Sequence, residues 1–291
     1  MSATEKTPEP SAGQLARLAP AERWGFQIAD RVHRHARWAA VAWNSTVLVG
    51  VTWLTCKRRI HVTGLEHLEK LDPSRGILLV ANHRSFFDYF TVACAWFNWT
   101  DLPRDVVFPV RSTFFYDSPV GWGVNTFMSG MAMFPPIKRS RDGAIWNRYA
   151  LHRLAYELQE TGAVVGIHPE GRRYPDADPF ALHRLKPGAS QVALDAPDSQ
   201  LVPVFLTGLT NDLWQEFLWN WLEPDEHPIG IAFGAEIDIS DLRSIHADDE
   251  DSEPARRVVE LVTQRIGDAL KAQAEACREV LEQAREKVRA A

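Results

Sequence analysis

Cysteine is scarce in this chain. The 291 residues hold three, Cys56, Cys94 and Cys277, odd in number and far apart. That leaves no disulfide framework and no zinc-ligand pattern, which fits a reducing compartment. None of the three stands in a recognisable nucleophile motif. The Gly-x-Ser-x-Gly turn that presents a nucleophilic serine is missing, and so is the tight helical spacing of His-Glu-x-x-His. A basic surplus is missing too: the net charge is −6, so nothing points to nucleic acid as a partner. No internal repeat is visible. Residues 1–20 are polar, rich in Pro, Ala and Ser, and lack the apolar core of a signal peptide, so they read as a disordered leader. What is present is 45% apolar residues in a chain long enough to bury a large core as one main domain.

Four segments carry chemistry or lie next to it. In the first, the apolar run Ile77-Leu78-Leu79-Val80-Ala81 reads as a buried strand and is followed by Asn82-His83-Arg84-Ser85-Phe86-Phe87-Asp88. A histidine and a carboxylate five positions apart would leave the sheet at a strand end, where open α/β folds place their chemistry. A neutral imidazole can take a proton from a hydroxyl, and a carboxylate behind it can fix its tautomer and stabilise the imidazolium. The same residues have a plainer reading. Ser85-x-x-Asp88 is also a capping box opening a helix at 86–97, with Asp88 as a cap and His83 as a loop residue.

The second segment is Ala163-Val164-Val165-Gly166-Ile167-His168-Pro169-Glu170-Gly171-Arg172-Arg173, a short strand ending in charge. Parallel to the first, it would bring Glu170 and Arg173 to the edge that carries His83. An arginine there can hold a phosphate by two parallel hydrogen bonds, although a surface turn with a salt bridge is equally consistent. The third runs from Gly130 to Arg141 and ends in Lys138-Arg139-Ser140-Arg141, which alone is a solvated charge run. The fourth, Leu201-Val202-Pro203-Val204-Phe205-Leu206-Thr207-Gly208, is a strand with an internal proline. It is expected at a sheet edge, or to begin late or be interrupted, because proline cannot donate to a ladder.

In this order, from about Arg58 to Gly234, the four segments resemble the glycerophospholipid acyltransferase family, whose best-known members are the lysophosphatidic acid acyltransferases. A lead-in strand at 59–66 is typical of that family's catalytic domain. The first block matches fully. The second matches at Pro169, Glu170, Gly171 and Arg173, with Arg172 in place of the usual threonine. In the third, Lys138 stands where an acid is common, and Pro135-Pro136 is unusual; these departures leave the acceptor open. The resemblance implies that His83 is the general base and Asp88 its orienting partner. It implies that Arg139, Glu170, Gly171 and Arg173 shape an acceptor-phosphate site, and that Pro203 belongs to a block associated with the acyl donor. It implies no covalent acyl-enzyme, no metal and no cofactor beyond acyl-CoA or acyl carrier protein as co-substrate. The acceptor would be a lysophospholipid, lysophosphatidic acid foremost, in phospholipid synthesis.

The pattern along the chain agrees with an α/β fold: a central mixed, mostly parallel sheet flanked by helices. Strands are expected near 59–62, 76–81, 105–110, 163–168, 201–206 and 229–233, and helices near 86–98, 142–160, 186–195 and 211–222. The division is a leader (1–20), an N-terminal helical membrane-association segment (21–57), the α/β domain (58–250) and a C-terminal helix (252–291). The last helix opens with Ser252 as cap and Pro254 in its first turn, and its stripe Val262, Ile266, Leu270, Cys277, Leu281, Ala284, Val288 is expected to pack on the domain.

Residues 38–56 contain no charged side chain and are flanked by Arg31, Arg34 and Arg37 before and Lys57, Arg58 and Arg59 after. As a helix this is about 28 Å long, barely enough to span a bilayer. Asn44, Ser45, Thr52 and Thr55 fall on one stripe, which favours a helix lying in the interface or packed on the protein; a buried core helix is the alternative. The run Leu213-Trp214-Gln215-Glu216-Phe217-Leu218-Trp219-Asn220-Trp221-Leu222 suits lipid headgroups, an acyl-binding wall or the core. These segments predict a peripheral or monotopic protein on the cytoplasmic face of a membrane, attracted to anionic lipids. Two other classes compete: a metal-dependent hydrolase using His83, Asp88, His168 and Glu170, and a non-catalytic lipid-binding protein in which His83 is dispensable.

Overall fold

The computed structural model describes residues 6–174, 178–245 and 253–290. In chain order, α1 (Ala12–Leu15) and α2 (Pro20–His35) come first. Then α3 (Arg37–Trp43), a π-helical turn (Asn44–Leu48) and α4 (Val49–Cys56) follow one another. The sheet begins with β1 (Ile60–Thr63), α5 (Leu65–Leu68), β2 (Ile77–Ala81) and α6 (Asp88–Trp99). The middle holds β3 (Val106–Val107), β4 (Val110–Arg111), the short turn α7 (Ser112–Phe115), α8 (Pro119–Ser129) and β5 (Pro136–Ile137). After it come α9 (Ala144–Thr161), β6 (Val164–Ile167), α10 (Gly188–Asp195), β7 (Gln200–Thr207) and α11 (Leu213–Leu222). The chain closes with β8 (Ile229–Phe233), α12 (Ser240–Arg243) and α13 (Glu253–Ala290).

Six strands form one sheet in the order β1-β8-β7-β2-β6-β3, parallel throughout except for β7 against β8. The α/β expectation holds. β2, β6, β7 and β8 are buried along their whole length because helices cover both faces, which is why they read as unbroken apolar runs. Alternate side chains serve opposite layers. Leu78, Val80 and Val165 join the core with Phe26, Trp146 and Ile266, whereas Ile77, Leu79 and Val164 join the other with Phe90, Trp96 and Leu48. α13 lies over β7, β8 and β1, as its apolar stripe required. Gly230 lets it approach, since a Cβ there would meet Cys277 Sγ at 2.7 Å. The stripe ends at Ala284: Val288 is exposed, and the expected cap Ser252 lies outside the described residues.

Three expectations need correction. Pro203 is not on an edge strand. β7 sits between β2 and β8, and the β8 ladder starts only at Val204, so the missing N–H falls where that pairing has ended. The Pro203 carbonyl is taken by the Gly234 amide at 2.9 Å. The strand expected at 105–110 divides in two. Val106–Val107 pairs with β6 and Val110–Arg111 with β5, with Pro109, unable to donate, at the break. The leader is also ordered where it is described. Residues 1–5 lie outside the described residues, but Ser11 caps α1 in a box with Gln14, Arg34 donates to the Pro8 carbonyl at 2.8 Å, and Leu18 is buried.

The segment at 21–57 is likewise part of the body rather than an appendage. Phe26 and Ala29 of α2 sit in the core. A buried ionic clasp then ties α2 and α3 to α9: Arg153 bonds Asp30 at 2.5 Å and Glu157 at 2.8 Å, and Arg37 bonds Asp105 at 2.5 Å and also Glu157. The helical stretch Arg37–Arg59 is long and apolar enough to cross a membrane, yet it lies along α6 and α11 with its polar stripe, Asn44, Thr52 and Thr55, turned inward.

Candidate active site

The register of the sheet decides what meets at its carboxyl edge. Leu79 pairs with Gly166 and Val80 with Ile167, so the two strands end side by side and release His83 and the 168–173 turn together. Asn82 fixes the third strand. Its side chain donates to the Leu206 carbonyl and accepts from the Leu206 amide, both at 2.8 Å, as a backbone partner would.

His83 and Asp88 are in contact, Nδ1 to Oδ2 at 3.0 Å. The same Oδ2 accepts the backbone N–H groups of Arg84 at 2.7 Å and Ser85 at 2.9 Å. Both readings of Asp88 are therefore realised in one group: it caps the turn and it holds the imidazole. The capping box itself is only half formed. Ser85 Oγ accepts from Phe87 N at 3.1 Å and donates to the Thr210 carbonyl, and Phe86 N goes to Asn211 at 2.8 Å. Those outside partners hold residues 86 and 87 off the helix, which starts at Asp88 instead of Phe86. With Asp88 accepting, His83 carries its proton on Nδ1 and keeps the Nε2 lone pair free to act as a base.

Glu170 has a task the sequence did not suggest. It is buried, and its two carboxylate oxygens accept the His83 amide at 2.7 Å and the His183 amide at 3.0 Å. It staples the base's backbone to the facing turn, and it does not line the cavity. His168, considered in the sequence only as a metal ligand, stacks on His83 with ring centroids 3.8 Å apart and planes 13° apart. Its Nδ1 faces the Ala81 carbonyl at 3.0 Å, so that nitrogen is the protonated one. Tyr89 packs on the far side of His168, and only glycine fits at 166, because a Cβ there would meet the Tyr89 ring at 2.3 Å.

The dyad opens into a cavity of about 990 Å³. One wall is apolar: Phe86, Phe90, Phe108, Phe115, Val124 and Met133. The other is cationic: Arg111, Arg139, Arg172 and Arg173, with Gly171 between. Gly171 has φ +71°, a left-handed conformation that suits glycine. Arg173 is held by Asn211 Oδ1 at 2.6 Å, and Arg172 lies over the Tyr174 ring. Arg139 has no carboxylate within ion-pair distance among the described residues. Burial, then Arg111, Arg173 and Arg172, make its charge less favourable. Mutually repelling cations at the mouth of an apolar cavity are arranged for an anion.

The electrostatics keep the imidazole unprotonated. Burial, with Arg173 and Arg139 nearby, drives the His83 pKa well below the ordinary imidazole range, and burial pushes Asp88 up to about 6. His168 is pushed down as well, by burial and by His83. At neutral pH both imidazoles are neutral. Donor atoms of His83, Asp88 and His168 lie within 4.8 Å of one another. However, the two rings are stacked, so their in-plane lone pairs run side by side instead of converging, and both Glu170 oxygens are engaged. The donor set fits proton transfer better than metal ligation.

Of the residues singled out in the sequence, the structure brings His83, Arg139, Gly171 and Arg173 to the cavity, puts Asp88 and Glu170 behind it, and leaves Pro203 within the sheet, away from the lining. The residues sequence reasoning missed are Arg111, Asn211 and the stacking of His168, none of which carries a local pattern.

The family model described as Acyltransferase matches residues 59–207. No curated protein matches the chain. Among solved structures, the chain resembles the 1-acyl-sn-glycerophosphate (LPA) acyltransferase PlsC from Thermotoga maritima, with 16% sequence identity, 84% of this chain and 87% of that chain covered, and a TM-score of 0.41. The matched region spans half the chain and carries both members of the dyad: this protein belongs to the acyltransferase family and is an O-acyltransferase.

Proposed function

We propose that this enzyme moves a fatty acyl group from the thioester of acyl-CoA or acyl carrier protein to the hydroxyl of a lysophospholipid, lysophosphatidic acid foremost. The observation that carries this reading is the division of one cavity into an apolar wall and an arginine wall, with the His83–Asp88 dyad opening between them. The acceptor phosphate sits among Arg139, Arg172 and Arg173. Its hydroxyl reaches His83, and an acyl chain lies along the phenylalanines. His83 Nε2 takes the hydroxyl proton as the oxygen attacks the thioester carbon; the tetrahedral intermediate collapses with loss of the thiolate, to which the imidazolium returns the proton. Asp88 stabilises that imidazolium while it lasts. The amides of residues 83–87 are all engaged within the protein, so the charge available to the developing oxyanion comes from elsewhere in the cavity, where the arginines are the cations. Much of the acceleration then comes from holding two substrates in line.

The reaction needs only the acyl carrier as co-substrate. Because the acceptor is a lipid, the enzyme works at a membrane surface as a peripheral or monotopic protein on the cytoplasmic face, with the Arg37–Arg59 helix contributing to attachment. The test is the purified protein with labelled acyl-CoA and a panel of lysolipids, with and without a phosphate. Phosphate-bearing acceptors are expected to be preferred, and Arg173→Lys to raise the acceptor KM about tenfold while leaving the donor KM near its original value, because lysine cannot reproduce the guanidinium fork. Equal use of acceptors lacking phosphate, with no effect of the substitution, would overturn the acceptor assignment.

A further inference from the structure

Three helices of this protein are inside out. In α8 the buried residues are Gly121, Asn125 and Ser129. In α11 they are Glu216 and Asn220. Along α3, the π turn and α4, the buried set includes Asn44, Thr52 and Thr55. In α8 and α11 the polar groups turned inward have partners there. Arg59 bonds Glu216 at 2.6 Å, Asn220 takes the Arg58 amide at 2.8 Å and donates to the Leu54 carbonyl at 2.9 Å, and Ser129 bonds Asn125 at 2.9 Å. The large apolar side chains face outward: Trp38, Val120, Trp214 and Leu222 are 67–75% exposed, and Phe127, Leu54, Trp221 and Trp43 are exposed too. A soluble surface helix has the opposite arrangement.

The three helices adjoin. α11 packs on α4 and α8 on the π turn. Two indole N–H groups staple them together, Trp43 to the Phe127 carbonyl at 2.7 Å and Trp221 to the Leu54 carbonyl at 3.0 Å, so those rings present an apolar outer surface with no donor left to satisfy. In a chain that is 24% charged with a net charge of −6, residues 38–56, 119–129 and 213–222 contain one charged side chain, Glu216, and it is buried against Arg59. The charge at the border is positive: Lys57 lies 4.3 Å from the Trp53 ring and Arg58 lies over Trp221. Val124 of α8 and Asn211, next to α11, line the catalytic cavity, so the surface borders its mouth.

We propose that α8 and α11 join the α3–α4 helix in a single lipid-docking platform, inserted at the headgroup level of an anionic bilayer, through which the acceptor passes laterally into the cavity. The apolar outer faces, aromatic edge and cationic border match that partner in both hydrophobicity and charge. Attachment is then shared among three segments distant in sequence. This inference rests on the reading that the acceptor is a membrane lipid.

The experiment is flotation of the full-length protein with vesicles of neutral phospholipid with and without anionic phospholipid. Three double variants are compared with the unaltered chain: Trp38→Ser with Leu54→Ser, Val120→Ser with Phe127→Ser, and Trp214→Ser with Leu222→Ser. Each pair is expected to weaken binding to anionic vesicles by about tenfold or more, from the loss of two inserted apolar side chains. None of these residues lines the cavity, so acyl transfer to a short-chain acceptor dispersed as monomers should be unchanged, which also reports that the variants are folded. If the α8 and α11 pairs bind vesicles as the unaltered chain does, the platform is wrong and attachment belongs to the α3–α4 helix alone. If these substitutions abolish self-association in sedimentation and leave vesicle binding intact, the face is a protein interface and the inference is overturned. Vesicle binding lost with the substitutions while the unaltered protein acylates no lysolipid would sustain the platform and sink the proposed reaction instead.

Discussion

At the scale of residues, one carboxylate oxygen carries two duties. Asp88 Oδ2 holds His83 and two backbone amides, so Asp88→Asn should both slow acyl transfer and destabilise the fold by about 1–2 kcal/mol, readable in a denaturant melt. The pH profile follows from the same pair. Burial raises the Asp88 carboxyl to about 6, so as pH falls through about 6 the dyad takes up a proton and loses its base. kcat/KM should be flat above that pH and fall about tenfold per unit below it. In Asp88→Asn the imidazolium has no counter-ion, the His83 pKa drops further, and the acid limb should move to lower pH. A limb that moves upward or stays in place would break the assignment of the pair. Glu170→Gln leaves one acceptor where two backbone amides need one each. It should cost about 1–3 kcal/mol of stability and reduce kcat with little change in either KM, since it displaces the base without touching substrate. The His-to-Asp spacing was legible in the sequence because it is local. The use of Glu170 as a staple was not, because it depends on amides 87 and 13 positions away.

At the scale of elements, the strands were legible because buried parallel strands leave unbroken apolar runs ending in polar residues. Most helices could be placed from their periodicity. α8 could not: its Ser118 cap, Pro119 start and Gly130 stop are sound signals, but its interior reads as a poor helix because its polar residues face the protein. The position of β7 was missed for a related reason. Proline is excluded from a ladder only where its own N–H is needed, and whether it is needed depends on the neighbouring strand. The basic flank was also misjudged in part. Arg34 bonds Asp30 at 2.6 Å, and Arg59 is fully buried with Glu216, His227 and Gly208 as partners, so neither can meet a headgroup. Arg59 instead anchors a chain of contacts through Glu216 and Thr210 to Ser85 beside the dyad. Removing one partner of a buried pair strands the other, so Arg59→Ala should destabilise the protein by about 3–5 kcal/mol in denaturant titration. A loss below about 1 kcal/mol would show that the pair is not buried in solution.

At the scale of the whole molecule, the architecture joins the two features on which the proposed lipid chemistry rests: a cavity with a cationic wall at the sheet's carboxyl edge, and an apolar outer surface beside its mouth. Sequence patterning signalled the α3–α4 and α11 parts of that surface, since their apolar content is high. It could not reveal that they adjoin, because the juxtaposition is made by sheet order and by Asn220 and Trp221 reaching back to Leu54. The central claim remains the chemistry, and the most direct measurement is the initial rate of acyl transfer from a labelled acyl thioester to lysophosphatidic acid by the unaltered protein and by His83→Ala, with folding verified by circular dichroism. General-base catalysis predicts a fall of about 10²–10⁴-fold in kcat with substrate affinities largely retained. A folded His83→Ala protein that transfers acyl groups at near the original rate would contradict the account.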